Sequence, residues 1–346
     1  MIKLTRRSTL LSAFALAACG RARASDGPLP ALNTLVPFPL GVAAMTGEFD
    51  DPDWTALAVT NFGRVTPEWE MKSESLVAKD GSFDWTRADR LVSLAHTHGL
   101  KVHGHALIWY FEAPDGFAAM AGDKKRFADA YRTYIVGVAG RYRGQLTSWD
   151  VVNEPIADDG SLRDCLWRRV LGDEYIRTAF TTAREAEPAA PLFLNDFDLE
   201  TKPAKRAAFL KLAESLLKAG APLGGLGTQT HVNADLEPGR IRSTVADLAS
   251  LGLKVHISEF DVSLNRASGF DRAGLEKKQA ALAAEVSDAM AALPEAQRHG
   301  VTIWAARDKD SWLRRGAENK GLIPDTPVLF DDDGRAKAMA RAFAKL

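Results

Sequence analysis

The stretch SWDVVNEPIADDG, residues 148–160, decides how the rest of the chain is read. Trp149, Val151 and Val152 form a short apolar run, which Asn153, Glu154 and Pro155 close. Proline has no backbone N–H to give a sheet, so a strand should stop here with Glu154 on its tip. A carboxylate in that position is costly and needs a reason. The pattern recurs outward in both directions. Eight short apolar runs can be counted: 40–45, 61–69, 101–109, 147–155, 190–196, 224–231, 254–260 and 300–307. Amphipathic stretches separate most of them. In 127–144, Phe127, Tyr131, Tyr134, Ile135 and Val138 fall on one helical face, and 202–220 and 270–293 have helical periodicity too. Eightfold strand–helix alternation predicts an α/β fold, a parallel sheet closed as a (β/α)8 TIM barrel. An open doubly wound sheet is the alternative. It is weakened because no G-x-G-x-x-G follows the first run.

Composition bounds the rest. The 346 residues are 46% hydrophobic, enough for a sizeable core. With 44 basic and 45 acidic residues, the net charge of −1 suggests neither nucleic acid nor an anionic membrane as partner. Two cysteines, Cys19 and Cys165, imply no disulfide framework. No Cys/His cluster has metal-ligand spacing, so neither a metal nor another cofactor is expected. No internal linker is visible. Residues 38–346 read as one domain, with 25–37 as a short linker, and the protein is expected to be a monomer.

Residues 1–24 read as an export signal, with Arg6 and Arg7 ahead of a short apolar run and then small residues. The paired arginines resemble a twin-arginine signal. Leu16-Ala17-Ala18-Cys19 resembles a lipobox that would anchor the chain by lipid at Cys19, whereas Ala22-Arg23-Ala24 suits ordinary cleavage. The expectation is therefore an exported protein, periplasmic, secreted or lipid-anchored.

In a parallel barrel, chemistry collects at the C-terminal tips of the strands. The tips here carry Glu68 and Lys72, His105 and Trp109, Asn153 and Glu154, Asn195 and Asp196, Gln229 and His231, Glu259 and Asp261, and Trp304 with Arg307. One polar tip is ordinary. Seven on one rim suggest a site. Glu154 and Glu259 close the fourth and seventh runs and should face each other across the mouth. Two carboxylates flanking one bond are what glycoside cleavage needs, one protonated to serve the leaving oxygen and one ionised to attack. His231 and Asp261 lie close enough in sequence layout to hold Glu259 ionised.

These motifs resemble those of glycoside hydrolase family 10, the endo-β-1,4-xylanase family, from about Phe38 to the C-terminus. VTPEWEMK, HGHALIW, WDVVNEP, DGSLRDCLWRRVLGDEYI, GTQTH, ISEFDV and WAARDKDSW stand in the family order. The resemblance implies a retaining barrel hydrolase of xylan or xylo-oligosaccharides, with Glu154 as acid/base and Glu259 as nucleophile. It implies support from Asn153, Gln229, His231 and Asp261, and substrate contacts from Glu68, Trp69, Lys72, His105, Trp109, Trp304, Arg307 and Trp312. It also implies a cis peptide between His105 and Ala106. The other histidines, His96, His98, His103, His256 and His299, match no motif and read as structural.

The chain departs from the family pattern around this centre. Trp69 stands for the usual Asn, Ser73 for a Trp, Tyr110 for a His and Phe197 for a Tyr. Cleavage chemistry is therefore the firmer expectation, and unmodified xylan the less firm one. A retaining glycosidase for a decorated glycan or a β-1,4-glucan stays open, as does a non-catalytic carbohydrate-binding protein on this fold.

Overall fold

The computed structural model describes residues 29–111, 113–269, 271–315 and 323–346. The expected export signal, including Cys19, lies outside the described residues. Eight strands form the barrel: β1 (Leu40–Ala44), β2 (Arg64–Pro67), β3 (Lys101–Gly104), β4 (Ser148–Asn153), β5 (Leu192–Asp196), β6 (Gly225–Thr228), β7 (Lys254–Ser263) and β8 (Arg298–Ile303). Each pairs in parallel with the next, and β8 closes on β1 through Leu40 opposite Val301. Each of the eight apolar runs thus becomes a barrel strand. Two short extensions continue the ladder at the mouth. Ile108–Trp109 sets Trp109 beside Asn153, and His231–Asn233 sets His231 beside Asp261.

Local chemistry starts and orients the outer helices. Asp51 accepts from the backbone N–H groups of Asp53 and Trp54, with Pro52 as the first helical residue. Asp123 and Asp271 cap the helices Lys124–Arg141 and Arg272–Ala292 in the same way. The predicted face of Phe127, Tyr131, Tyr134, Ile135 and Val138 is buried against the barrel wall. Inside the barrel one glycine makes room for the site. A Cβ on Gly227 would lie 2.2 Å from Asn195 Oδ1, so only glycine lets the Asn195 amide lie against β6.

Candidate active site

Glu154 sits one residue past the end of β4, with φ of 59°. That left-handed conformation is unusual for a non-glycine residue and costs on the order of 1–3 kcal/mol. Asp198 and Thr230, just beyond β5 and near the end of β6, share it with φ of 60° and 59°. Thr230 is β-branched, and its hydroxyl is tied to Glu200 at 2.7 Å. The strained backbone therefore clusters on the rim where the two carboxylates project. The Glu154 N–H donates to Asn195 O at 2.7 Å and the Glu259 N–H to Gln229 O at 3.0 Å, so both backbones are held by neighbouring strands. The His105–Ala106 peptide is cis, as expected.

Both carboxylates are buried, and amides connect them. Gln229 Nε2 donates to Glu154 Oε1 at 2.7 Å and Asn153 Nδ2 to the same oxygen at 3.2 Å. Asn195 Nδ2 is shared between Asn153 Oδ1 at 2.9 Å and Glu259 Oε1 at 3.1 Å. Ser258 Oγ fixes the Asn195 amide from behind at 2.7 Å. The amides fix one oxygen of each carboxylate, Oε1 of Glu154 and Oε1 of Glu259.

Their electrostatic surroundings differ. Burial alone would raise the Glu259 carboxyl. The hydrogen bond from His231, and the positive charge of His105, His231 and Lys72, outweigh it and hold Glu259 below its ordinary value. His231 Nε2 lies 3.3 Å from Glu259 Oε2, and His231 Nδ1 lies 2.9 Å from Asp261 Oδ2. Burial opposes a charged imidazole, but Asp261 and then Glu259 push His231 up to about 10. At neutral pH it is an imidazolium between two carboxylates. Trp312 Nε1 donates to Asp261 Oδ2 at 2.8 Å and completes the chain. On the other side His105 Nδ1 contacts Asp150 Oδ2 at 2.8 Å, while His105 Nε2 stays 4.0 Å from Glu259 Oε1.

The cleft runs to either side of this pair. Lys72 Nζ sits over the rings of Trp109 and Trp69, 4.4 and 4.9 Å from their centroids. Trp69 is half-buried and lines an open cavity of about 660 Å³. Across the mouth a second cavity of about 390 Å³ is lined by Phe197, Gln229, His231, Arg266 and Trp312. The loops after β2 and β3 bound the first and those after β5, β6, β7 and β8 the second, so the carboxylates lie between two stretches of cleft. Aromatic faces and hydrogen-bonding side chains in such a groove suit a chain of sugar rings.

Comparison with known proteins identifies this arrangement. Residues 34–346 match the family model for glycosyl hydrolase family 10. The chain belongs to that family. It is 33% identical over 303 residues to endo-1,4-beta-xylanase 2 of Claviceps purpurea, covering 87% of this chain and 85% of that protein. It is 33% identical over 323 residues to the exoglucanase XynX of Acetivibrio thermocellus, where 89% of this chain covers 28% of the relative. The chain thus spans little more than a quarter of that longer protein. Among solved structures, a mutant of the intracellular xylanase TsXylA of Thermoanaerobacterium saccharolyticum in complex with xylotetraose superposes with a TM-score of 0.81 at 30% identity. The match covers 91% of this chain and 98% of that one.

Within this family 10 barrel the other expected residues take different places. Trp304 is buried and meets the rings of His105 and His231 edge-on at 5.7 and 6.0 Å, forming the wall between them. Glu68 makes a two-pronged ion pair with Arg315 at 2.8 and 2.9 Å. Arg307 differs from its expected place in the cleft. It is buried, with Nη1 2.8 Å from Asp51 Oδ2 and Nε 2.8 Å from Asp310 Oδ2. Its donors are taken up in joining the rim to the loop after β1. Tyr110 lies under the Arg163 guanidinium at 4.1 Å, and Arg163 donates to the Glu154 carbonyl at 3.0 Å. The substituted surroundings thus still brace the loop that carries Glu154.

Sequence reasoning missed Asn195 and Asp150 as site residues. Asn195 was visible as a strand tip. Asp150 shares alternation with Ser148 on β4, a polar pair within an apolar run. The structure also gathers His103, His256 and His299 inside the barrel, with ring nitrogens within 4.8 Å of one another. A cation does not fit there. Arg64 donates to Nε2 of His256 and of His299, each at 2.9 Å, so two of the atoms that would bind a metal already accept from a guanidinium.

Proposed function

We propose that the protein is a retaining endo-β-1,4-xylanase acting on xylan or xylo-oligosaccharides. The observation that carries this reading is the pair of buried strand-tip carboxylates held in unlike environments, Glu259 beside a charged His231 and Glu154 bonded by the neutral amides of Gln229 and Asn153. Its relatives' names and the xylotetraose complex of a similar structure support the substrate class.

In the first step a Glu259 oxygen attacks the anomeric carbon while Glu154 gives its proton to the departing glycosidic oxygen. The aglycone leaves as an alcohol, and a glycosyl ester on Glu259 remains. In the second step Glu154, now a carboxylate, takes a proton from water as that water attacks the same carbon. The ester bond breaks and both glutamates return to their starting states. Asn153, beside Glu154, would bond the 2-hydroxyl of the sugar at the reacting centre, a contact that strengthens in the transition state. Lys72, His105 and Trp109 would hold the glycone side, and Trp312 with Phe197 the other.

Product analysis tests this reading. Xylan and linear xylo-oligosaccharides should give short internal-cleavage products whose new reducing ends first appear in the β configuration by proton NMR. Release of α-anomers, or cleavage of β-1,4-glucans in preference to xylans, would reject it. A second reading, in which a β-1,4-glucan is the substrate, is favoured only by the similarity to an exoglucanase. We also propose export through the N-terminal segment, with action as a monomer. Fractionation of the expressing cell, with palmitate labelling of wild type and Cys19→Ala, distinguishes a lipid-anchored from a released form. Light scattering reads the oligomeric state.

A further inference from the structure

Lys205 has a fully buried side chain that the two-step reaction leaves unused. It lies in the first turn of the helix Pro203–Lys218. An ammonium is costly to bury and is misplaced at the positive end of a helix, so something else holds it there. Its Nζ lies 2.8 Å from Asp196 Oδ1, 4.0 Å from Asp158 Oδ1 and 3.4 Å from the centre of the Phe197 ring.

Asp196 is equally buried and ends β5. Its Oδ2 accepts the Ile156 N–H at 2.9 Å and its Oδ1 the Phe197 N–H at 2.9 Å. Its carbonyl accepts the Gln229 N–H at 3.0 Å, and the Gln229 side chain in turn bonds the Glu154 carboxyl. Ile156 stands two residues beyond Glu154. The left-handed turn at Glu154 is therefore held on one side by Asn195 O, which accepts the Glu154 N–H, and on the other by the Asp196 carboxylate. The loop that follows rests on the same helix as Lys205. Asp158 pairs with Lys202 at 2.7 Å, and a Cβ on Gly160 would lie 3.5 Å from both Ala204 O and Ala208 Cβ.

Burial raises the Asp196 carboxyl. Lys205 and then the Ile156 N–H pull it back, so it settles at about 6 and is ionised at neutral pH. Without Lys205 it shifts further toward its protonated form. An ionised oxygen accepts a hydrogen bond more strongly than a neutral acid does. Left-handed backbone at a non-glycine residue persists only where its surroundings over-determine it.

We propose that Lys205 is a positioning residue for the acid/base: by pairing with Asp196 it keeps a carboxylate on the Ile156 N–H, and so holds the strained Glu154 turn from which the proton is given. The proton transfer rests on the xylanase reading. The hold of Lys205 on the turn does not.

The test uses the full chain as wild type, Lys205→Met and the double variant Lys205→Met/Asp196→Asn. First, kcat/KM is measured on xylohexaose, whose leaving group needs a proton, and on a dinitrophenyl xylobioside, whose leaving group does not. Second, hydrogen exchange is followed by mass spectrometry over residues 153–163. Lys205→Met should slow xylohexaose by about tenfold or more and the aryl substrate by less than about threefold. Exchange over 153–163 should quicken while the rest of the barrel keeps its protection. The double variant leaves no unpaired charge inside, so it reports even if the single one unfolds. Its amide has one accepting oxygen for two N–H groups, so the same split is expected. Equal losses on both substrates mark a merely structural pair and overturn the proposal. So do full rates on both, or unchanged exchange over 153–163. If wild type hydrolyses neither substrate, the xylanase reading falls. Quickened exchange then upholds the hold of Lys205 on the turn, and unchanged exchange rejects it.

Discussion

Replacing Asp261 by asparagine keeps the shape of the site and removes one charge. In the wild type Asp261 Oδ2 lies 2.9 Å from His231 Nδ1, and His231 Nε2 lies 3.3 Å from Glu259 Oε2. With Asp261 ionised, His231 is pushed up to about 10 and is a cation throughout the neutral range. Without it, only Glu259 still pulls the imidazole up against burial, and the ring shifts toward its neutral form. Glu259 then loses its nearest positive charge, although Lys72 and His105 remain. Unit charges at this separation interact by about 5 kcal/mol at an effective dielectric constant of about 20. The His231 side chain is 19% exposed, so solvent reduces this, and about half is a fairer figure. At about 1.36 kcal/mol per pK unit, that raises the Glu259 carboxyl by about two units.

The sign follows from the role. Glu259 must be ionised to attack, so raising its pKa moves the acid limb of kcat/KM upward. The assay is the pH profile of Asp261→Asn against wild type on an aryl xyloside. Its leaving group needs little protonation and keeps Glu154 out of the observed limb. The expected result is an acid limb displaced by about two pH units with a plateau partly recovered at high pH. An acid limb that stays in place, with only the plateau lowered, would refute the argument that His231 and Asp261 act by setting the charge on Glu259.

Glu259→Ala should abolish turnover on all substrates, and added azide should restore it on an activated aryl glycoside with an α-glycosyl azide as product, as read by NMR. Glu154→Ala should slow xylan hydrolysis by about 10²–10⁴-fold but slow aryl glycosides with good leaving groups far less; equal losses would remove Glu154 from the acid/base role. Trp69 faces an open cavity, so Trp69→Asn should weaken longer xylo-oligosaccharides by about 1–2 kcal/mol in kcat/KM through lost apolar contact, with little change in melting temperature.

The barrel was legible because its evidence is repeated along the chain: eight apolar runs separated by amphipathic stretches, each ending in polar residues. Glu154 and Glu259 were legible for a related reason. Strand order alone sets the fourth and seventh tips on opposite sides of a closed mouth. What could not be read was lateral contact, which depends on register. Arg307 illustrates it: the sequence puts it on the rim, but only the fold brings Asp51 to its guanidinium. Asn195 is the converse. Its amide bridges Asn153 and Glu259 only because β6 carries a glycine beside it. Trp69 was visible as a departure, but its exposure to an open cavity follows from the loop that carries Val77 and Lys79.

The barrel interior shows the same limit in its protons. Arg64 is buried, and burial lowers its pKa to about 10 against the pull of Asp150. Its short polar contacts among the described residues are the imidazoles of His256 and His299 and the His299 carbonyl. A guanidinium can only donate, so Nε2 of both rings must accept and the proton of each must sit on Nδ1. Burial and the Arg64 charge hold both rings well below the usual histidine range, which keeps them in that neutral form. The chain then runs from His299 to Ser148 Oγ at 2.9 Å, to His103 Nδ1 at 2.6 Å, and from His103 Nε2 to Asp150 Oδ2 at 2.9 Å. Burial would raise Asp150, but His103 and His105 hold it well below the usual carboxylate range, so it can only accept. His105 must therefore give its Nδ1 proton to Asp150. His105 Nε2 lies 4.0 Å from Glu259 Oε1, beyond direct hydrogen-bond distance. Arg64 and Asp150 thus stand at the two ends of a buried polar chain, with the negative end toward the mouth. His105 thus stands between Asp150 and Glu259, while a hydrogen bond to Glu259 comes from His231.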